Sequence, residues 1–386
     1  MRVAGSAGGA APIRLLHAFS TFELGGPQAR FVRLVRAFGP RFHHVVAAMD
    51  NQFAAAQGLA GLSNVELLPL PTRRGRDLNN VPLLWRTLGQ VRPERLVTYN
   101  WGAFEWAFAN AARRVPQLHV EEGFGPQETE RRLPRRSMAR RVGLRLAGAQ
   151  LVVVSETMAD IAASEWGVRG RRLVVVPNGV DVDDYRPAYA RRGPSRFAES
   201  ADETVVGTVA GLRPEKRIDR LIGAFAAAAR SPGAAGPMRL VIAGDGPCRA
   251  ALQAQAEALG VAGAVRFLGF VADCAPLYEH FDVMALTSDT EQMPLAVVEA
   301  MAAGLPIVAT DVGDVRRMVG AANAELVLPP DEALLAGALR RLCAQPEQRR
   351  GLGRDNRARA AQRYTRQRME QLWSGLYAGS TARTPA

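Results

Sequence analysis

The sequence predicts an α/β protein built from two doubly wound domains, each with a parallel sheet. Short apolar segments that read as buried strands alternate with helical segments along the chain. Such strict alternation gives parallel sheets joined by right-handed crossovers. The alternation runs through twice, and a polar, irregular stretch at 183–202 separates the two runs as a linker. A length of 386 residues suits two domains, and a hydrophobic content of 48% lets each bury a core.

The first domain is predicted to span residues 13–182. Its strands are the apolar segments 13–19, 43–49, 65–70, 95–99, 118–120, 150–154 and 173–176. Helical segments follow at 29–38, 81–91, around 105–110, across an arginine-rich stretch, and from Ser155, a favoured N-cap, to 166. The Gly/Ala-rich residues 1–12 are predicted to be a disordered lead-in rather than a secretory signal. The turn cluster PNGVD at 177–181 marks the end of the domain.

The second domain is predicted to span residues 203–364. Its strands are the apolar segments 204–210, 239–243, 265–268, 282–286, 307–310 and 325–328. Its helices are predicted at 218–230, 248–259, 275–280, 295–303, 331–344 and 347–364. Because doubly wound folds bind ligands at the carboxyl ends of their strands, we expect a ligand in a cleft between the two domains.

Two carboxylates flank the start of one helix in this second domain. Glu291 lies just before Pro294, which is predicted at the first helical position, and Glu299 lies about a turn and a half inside the helix. A helix N-terminus suits a phosphate, and an acidic residue nearby can accept hydrogen bonds from ribose hydroxyls. Glu291 could then face the group beyond the phosphates. On spacing alone, a surface acid and a helix-start acid that favours the dipole explain the pair equally.

The chain is strongly basic, with a formal charge of +12 and a pI near 10.7. The densest arginine run lies between Arg131 and Arg145, and the apolar residues Leu133, Met138, Val142, Leu144 and Leu146 are interleaved with it. This run predicts a basic amphipathic helix that could contact an anionic membrane surface. A high arginine content spread over solvated helix faces remains the simpler explanation. Aromatic residues make up only 6% of the chain and are not interleaved with the basic run, so no nucleic-acid partner is predicted.

Cysteine and histidine usage predicts neither a metal site nor a disulfide framework. The three cysteines and five histidines are scattered without ligand spacing, which favours a reduced, cytoplasmic compartment. No apolar run reaches the roughly 18 residues that a spanning helix needs.

Four motifs in this order resemble glycosyltransferase family 4, the retaining enzymes with the two-domain, Rossmann-like GT-B fold. They are EQMPLAVVEAMAAGLPIVAT at 291–310, PNGVD at 177–181, GLRPEK at 211–216 and VIAGDGP at 241–247. The resemblance covers residues 13–378. It implies that a C-terminal helix at about 365–378 crosses back to the first domain.

The resemblance implies roles for three side chains and for a set of donor-binding positions. Glu299 would bind the donor ribose, Glu291 would sit beside the donor sugar, and Lys216 would neutralise the leaving diphosphate. Gly25 and Gly26 would close over the phosphates, and the base would lie near Leu268. The remaining implied donor-binding positions are Gly244, Met293, Pro294 and Leu295. No metal or other cofactor is implied, because cationic side chains and a helix dipole take that part.

Two departures from the family pattern leave questions open. The family's usual Gly-Arg-Leu is AGL at 210–212 here, so either Arg213 replaces the missing arginine or Lys216 acts alone. Where the family often has His-Gly, this chain has Glu122-Gly123. We hypothesise that Glu122 or Glu121 orients or deprotonates the acceptor hydroxyl.

The expected function is transfer of a sugar from a nucleotide-diphosphate sugar to a glycan or lipid-linked acceptor, in bacterial cell-surface or exopolysaccharide synthesis. The expected location is the cytoplasm, with peripheral contact at the inner face of the plasma membrane. Two alternatives stay open: a GT-B-fold epimerase or phosphorylase, and a non-catalytic nucleotide-sugar-binding subunit.

Overall fold

The computed structural model of the protein describes residues 11–72, 78–124, 128, 132–230 and 236–380. All but the last two residues of the predicted lead-in at 1–12 fall outside this range, as does Arg131. The chain divides into two compact units, the first formed by Met1–Val176 with Glu370–Ala386 and the second by Pro177–Met369. Each unit has its own parallel sheet, and the predicted two-domain α/β fold class is confirmed.

The division lies at Val176/Pro177, whereas the sequence predicts the first boundary at 182/183. Hydrogen bonds within the second unit explain the difference. The N–H of Val180 donates to the Tyr364 carbonyl at 2.9 Å, and the N–H of Arg366 donates to the Val180 carbonyl at 2.8 Å. The PNGVD turn is therefore held by the second unit.

The first unit contains a sheet of seven parallel strands in the order β3-β2-β1-β4-β5-β6-β7. The strands are β1 Ile13–Phe19, β2 Phe42–Ala48, β3 Val65–Leu68, β4 Arg95–Tyr99, β5 Gln117–Glu121, β6 Gln150–Val153 and β7 Leu173–Val175. The central strands are buried along their length, as expected when helices cover both faces of a parallel sheet. The sequence-predicted strands all appear, with ends shifted by up to two residues.

Helices of the first unit connect these strands. They are α1 Gly26–Phe38, α2 Val81–Val91, α3 Glu105–Arg113, α4 Pro134–Leu146 and α5 Glu156–Ile161. The predicted N-cap at Ser155 is confirmed, because its Oγ accepts a hydrogen bond from the N–H of Met158 at 3.1 Å.

The second unit contains a sheet of six parallel strands in the order β10-β9-β8-β11-β12-β13. The strands are β8 Thr204–Val209, β9 Met238–Ala243, β10 Val265–Gly269, β11 Val283–Leu286, β12 Ile307–Thr310 and β13 Val327–Leu328. The helices are α6 Ile218–Ala229, α7 Arg249–Ala258, α8 Ala275–Tyr278, α9 Leu295–Ala302, α10 Val315–Met318, α11 Glu332–Ala344 and α12 Pro346–Arg363. The main core of this unit packs α6, α7 and α11 against the sheet.

The last helix, α13 Arg366–Ala378, starts in the second unit, and its residues from Glu370 onward belong to the first. Trp373 and Tyr377 are buried there. Among the helices that the structure describes, none combines the length and apolar character needed to cross a bilayer.

Candidate active site

The second sheet has a topological switch point between β8 and β11. From β8 the chain runs outward through β9 to β10, and from β11 it runs the opposite way through β12 to β13. Open α/β sheets bind ligands at such a point, outside the carboxyl ends of the strands. The loops that leave β8 and β11 there are residues 210–217 and 287–294, and they contain Lys216 and Glu291.

Lys216 and Glu291 form an ion pair across these two loops. The Nζ of Lys216 lies 2.6 Å from Oε1 of Glu291, and the hydroxyl of Ser288 donates to the same oxygen at 2.8 Å. The side chains are 17% and 12% exposed, so the pair is shielded but still reached by solvent. The structure therefore places two of the predicted catalytic residues in direct contact.

Further hydrogen bonds tie the two loops together. The Thr287 hydroxyl donates to the Arg217 carbonyl at 2.9 Å, and the N–H of Asp289 donates to the Glu215 carbonyl at 2.9 Å. Arg220, which is almost fully buried, donates to the Thr287 carbonyl at 2.9 Å and to the Asp289 carboxylate at 2.7 Å. A pair held by several such bonds is preorganised, which is how protein groups stabilise developing charge most effectively.

The helix α9 begins beside this pair. Pro294 is its N-cap, with extended backbone angles, and not its first helical residue as the sequence predicts. Leu295 then opens the helix, whose first N–H groups have no acceptor within the helix and suit an anion. Asn178 of the PNGVD turn donates its side-chain N–H to the Met293 carbonyl at 3.0 Å. Two of the sequence motifs therefore meet at this helix start.

Gly313 packs against the backbone of the Glu291 loop, and sequence reasoning missed it. Its φ is +52°, and a Cβ there would lie 2.4 Å from the Glu291 carbonyl oxygen and 2.5 Å from that of Gln292. The N–H of the next residue, Asp314, donates to the Gln292 carbonyl at 2.9 Å. Only glycine allows this close backbone approach.

Glu299 lies within α9 and is held by a buried tyrosine. The Tyr278 hydroxyl donates to Oε2 of Glu299 at 2.7 Å. Burial and the negative charge of Glu299 raise the pKa of Tyr278 well above its usual value. Burial, together with the same charge, raises the pKa of the neighbouring Cys274 thiol to about 11. A neutral donor therefore faces the carboxylate throughout the ordinary pH range.

Glu122 directly follows β5 in the first unit and pairs with Arg30. Its side chain is 13% exposed, and its N–H donates to Asn100 Oδ1 at 2.8 Å. Burial raises the pKa of Glu122, against the opposing effect of Arg30. Glu121 is different: it is fully buried and accepts hydrogen bonds from Arg140 at 3.0 Å and His119 at 3.1 Å. The hypothesis that Glu121 contacts an acceptor is therefore wrong, because a carboxylate enclosed in the core cannot reach one.

The family models match both units. Residues 194–359 match the model described as glycosyl transferases group 1, and residues 24–184 match the one described as Glycosyltransferase Family 4. The chain belongs to glycosyltransferase family 4. Family membership was therefore predicted correctly from the motifs.

Two curated relatives of this family 4 chain are similar over different lengths. It is 32% identical over 223 residues to a D-inositol 3-phosphate glycosyltransferase of Gordonia bronchialis, covering 55% of this chain and 48% of that protein. It is 29% identical over 322 residues to a GDP-mannose-dependent alpha-mannosyltransferase of Mycobacterium tuberculosis, covering 83% and 68%. The chain thus spans about half the length of the first relative.

Solved structures of the GT-B type share the fold. Anabaena HepE in complex with UDP superposes with a TM-score of 0.75 at 22% identity, covering 95% of this chain and all of that one. WaaG, a glycosyltransferase involved in lipopolysaccharide biosynthesis, superposes with a TM-score of 0.67 at 19% identity over 95% and 100%. At these identities the similarity establishes the fold alone.

Three further donor-binding positions that the family resemblance implied, Arg213, Gly244 and Leu268, have partners of their own outside the Lys216–Glu291 ion pair. Arg213 is 59% exposed and pairs with Glu215 at 2.9 Å. Gly244 donates its N–H to the Gly269 carbonyl at 2.8 Å, and a Cβ on it would meet the Ala210 carbonyl oxygen at 1.9 Å. Gly244 thus packs the loop after β9 against the loop after β8. Leu268 is half-buried in β10.

The glycine pair at 25–26 starts α1 in the first unit. A Cβ on Gly26 would meet nothing within 4 Å, and one on Gly25 would meet only the flexible end of Gln28. Neither glycine has a positive φ. Neither packing nor backbone angles therefore require glycine at these two positions.

The arginine-rich helix α4 buries two of its arginines and exposes several apolar side chains. Arg136 and Arg140 are buried: Arg136 lies 2.8 Å from Glu128, and Arg140 lies 3.0 Å from Glu121 with its guanidinium over the Trp101 and Trp166 rings. The predicted contact of Arg131–Arg145 with an anionic membrane surface therefore cannot include these two arginines. The exposed face instead carries an apolar stripe flanked by arginines: Met138, Val142 and Leu146 with Arg135, Arg141 and Arg145.

Proposed function

We propose that this chain is a retaining glycosyltransferase that moves a sugar from a nucleoside-diphosphate sugar to a hydroxyl of a glycan or lipid-linked acceptor. The observation that carries the proposal is the 2.6 Å contact between Lys216 and Glu291 at the switch point of the second sheet. The α9 N-terminus beside it offers backbone N–H groups to the diphosphate. Family membership and the GDP-mannose dependence of one relative support the same donor class.

The charge changes of the reaction match this arrangement. Breaking the bond between the anomeric carbon and the phosphate oxygen leaves negative charge on the diphosphate and positive charge on the sugar. Lys216 and the N–H groups at the start of α9 stabilise the diphosphate, so no metal ion is needed for that task. The diphosphate competes with Glu291 for Lys216, and the released Glu291 carboxylate then faces the sugar hydroxyls and the positive reaction centre.

The configuration at the anomeric carbon is retained if the acceptor attacks from the same face of the sugar that the diphosphate leaves. The acceptor oxygen bonds to the anomeric carbon, and its proton passes to the departing phosphate oxygen. Glu122 in the first unit is proposed to orient the acceptor hydroxyl. Its carboxylate is 13% exposed and paired with Arg30, so it can accept a hydrogen bond from that hydroxyl while the proton goes to the phosphate.

Donor recognition is proposed to use Glu299 for the ribose, the backbone around Met293 and Leu295 for the diphosphate, and the neighbourhood of Leu268 for the base. Gly25 and Gly26 let a phosphate approach the backbone of the first unit.

The exposed face of α4 supports an acceptor at an anionic membrane. Met138, Val142 and Leu146 follow each other at four-residue intervals, so they form one stripe along the helix, and exposed arginines flank it. Apolar side chains that enter a membrane interface beside arginines that meet anionic head groups are typical of interfacial helices. We therefore propose a cytoplasmic, peripheral enzyme of cell-surface or exopolysaccharide synthesis.

Ligand binding and turnover together test the function. The purified chain is screened by thermal shift against UDP, GDP, ADP and the glucose and mannose esters of UDP and GDP, because a bound ligand raises the melting temperature. Incubation of the stabilising sugar nucleotide with lipid extracts and oligosaccharides should then give a glycosylated product. Isomerisation or hydrolysis of the donor without any acceptor indicates the epimerase or phosphorylase alternative. Stabilisation without any product across the acceptors indicates a binding subunit.

A further inference from the structure

Tyr278 is the partner of Glu299 that the sequence motifs do not contain. It lies 21 residues before Glu299, at the end of the short helix α8, and its side chain is fully buried. The centroids of the Phe281 and Tyr185 rings lie 5.8 Å and 5.9 Å from the centroid of the Tyr278 ring, and both rings are nearly edge-on to it. Packing therefore fixes the tyrosine ring, and the ring fixes the position of the hydroxyl.

This hydroxyl restricts the carboxylate of Glu299. A glutamate on a helix has three rotatable side-chain bonds, and ordering such a side chain costs conformational entropy. The 2.7 Å hydrogen bond to Oε2 orders it before any ligand binds. A carboxylate has about four lone-pair positions, so a bond from Tyr278 leaves acceptor capacity for hydroxyl donors.

We infer that Tyr278 is a positioning residue for the donor ribose, acting through Glu299. The inference rests on the proposed function, in which Glu299 accepts hydrogen bonds from the ribose hydroxyls. Preorganisation of Glu299 lowers the entropic cost of binding, so Tyr278 should strengthen the affinity for a nucleoside diphosphate. This gain in affinity should depend on the 2′- and 3′-hydroxyl groups of the ribose.

The experiment compares ribonucleotides with nucleotides that lack these hydroxyls. Wild type, Tyr278→Phe, Glu299→Ala and the variant with both changes are titrated by calorimetry with UDP, GDP and ADP and with the 2′,3′-dideoxy form of each. Tyr278→Phe should weaken binding of the ribonucleotide about tenfold, as expected for loss of one hydrogen bond to a charged group. It should change dideoxynucleotide binding less than about twofold, and it should have no further effect in the Glu299→Ala background.

Tyr189→Phe is the matched control, because it removes a hydroxyl from another tyrosine of the same unit whose ring lies against Gly304, beyond the far end of α9. It should bind both nucleotide forms as wild type does. Equal weakening of ribo and dideoxy forms by Tyr278→Phe, or no weakening of either, would overturn the inference while the proposed function stands. If wild type binds none of the nucleotides, the proposed function itself fails and the inference fails with it.

Discussion

Lys216 and Glu291 are 75 positions apart in the chain, yet their charged atoms lie 2.6 Å from each other. The pair is held by the loops that leave two adjacent strands, β8 and β11, at the point where the order of the sheet reverses. In the proposed reaction the diphosphate of the donor replaces this carboxylate as the partner of the lysine.

Removal of the lysine should therefore stop turnover. We expect Lys216→Ala to lower kcat by about 10²–10³-fold, the usual cost of losing one preorganised group that stabilises developing negative charge. The measurement is the initial rate of transfer with the donor identified by thermal shift. Circular dichroism should show a folded chain, because the lysine lies in a loop.

Arg213→Ala is the matched control for this lysine, since it also removes one positive charge from the loop after β8. Arg213 is largely exposed and pairs with Glu215, so we expect less than a twofold change in kcat. A loss as large as that of Lys216→Ala would show instead that Arg213 replaces the arginine missing from the family motif.

Gly313 is expected to be essential for the shape of the Glu291 loop. Gly313→Ala places a methyl group within 2.5 Å of two backbone oxygens at a φ of +52°, so it should destabilise the chain by about 1–3 kcal/mol and lower turnover. Urea denaturation measures the first effect. Gly351→Ala in α12 is the control: a Cβ there meets nothing within 4 Å, and alanine in a helix should be neutral or stabilising by up to about 1 kcal/mol. Equal stability of the two variants would contradict the close packing.

Sequence reasoning predicted most of the fold, because buried parallel strands and helix boundaries leave local signals. It also singled out Lys216 and Glu291 through their motifs. It missed Tyr278, Arg220 and Ser288, because their roles depend on which loops the sheet brings together and not on local spacing.

In the arginine-rich stretch, the sequence pattern did not show which side chains of the helix face inward. A helical pattern of arginines and apolar residues normally predicts apolar side chains inside. In α4 the acids Glu121 and Glu128 lie beneath the helix, so Arg136 and Arg140 point inward and Met138 points outward. The acids precede the helix in the chain, and their location was not readable from its periodicity.

These buried ion pairs should be far more important for stability than the more exposed pair that Arg132, just before α4, forms with Glu165. Glu128→Gln leaves Arg136 and Arg140 buried with one acid fewer, so we expect a loss of about 3–5 kcal/mol in the free energy of unfolding. Glu165→Gln breaks the exposed pair with Arg132 and should cost about 1 kcal/mol or less. Urea denaturation of both variants checks this, and similar losses would refute the assigned burial.

Acid should destabilise the first unit through a buried histidine pair. His17 Nε2 lies 3.0 Å from His44 Nδ1, and burial lowers the pKa of both, with that of His44 at about 4. The unfolded chain therefore binds more protons than the folded chain below pH 6.5, so stability is fully present above pH 6.5 and is lost as the pH falls toward 4.

For His44 alone the loss should reach about 2 kcal/mol at pH 5. Urea denaturation at pH 7 and pH 5 measures it. His44→Gln keeps a polar side chain but cannot titrate, so its stability should fall less over the same interval. An unchanged pH dependence in this variant would rule out His44 as the source.

The exposed face of α4 should bind anionic vesicles. Replacement of Arg135, Arg141 and Arg145 by glutamate removes cations beside the apolar stripe, and each basic residue near such a surface contributes about 1 kcal/mol. We expect a loss of at least about 100-fold in the partition coefficient onto phosphatidylglycerol-containing vesicles, measured by sedimentation.

The control replaces three exposed arginines of the second unit, Arg340, Arg341 and Arg354, and so makes the same change in net charge. If both triple variants lose binding equally, only the overall charge of the chain acts, and α4 is not the membrane contact. If the α4 variant alone loses it, a further change of Met138 and Leu146 to glutamine in the wild-type background should also weaken binding, because the apolar stripe no longer enters the interface.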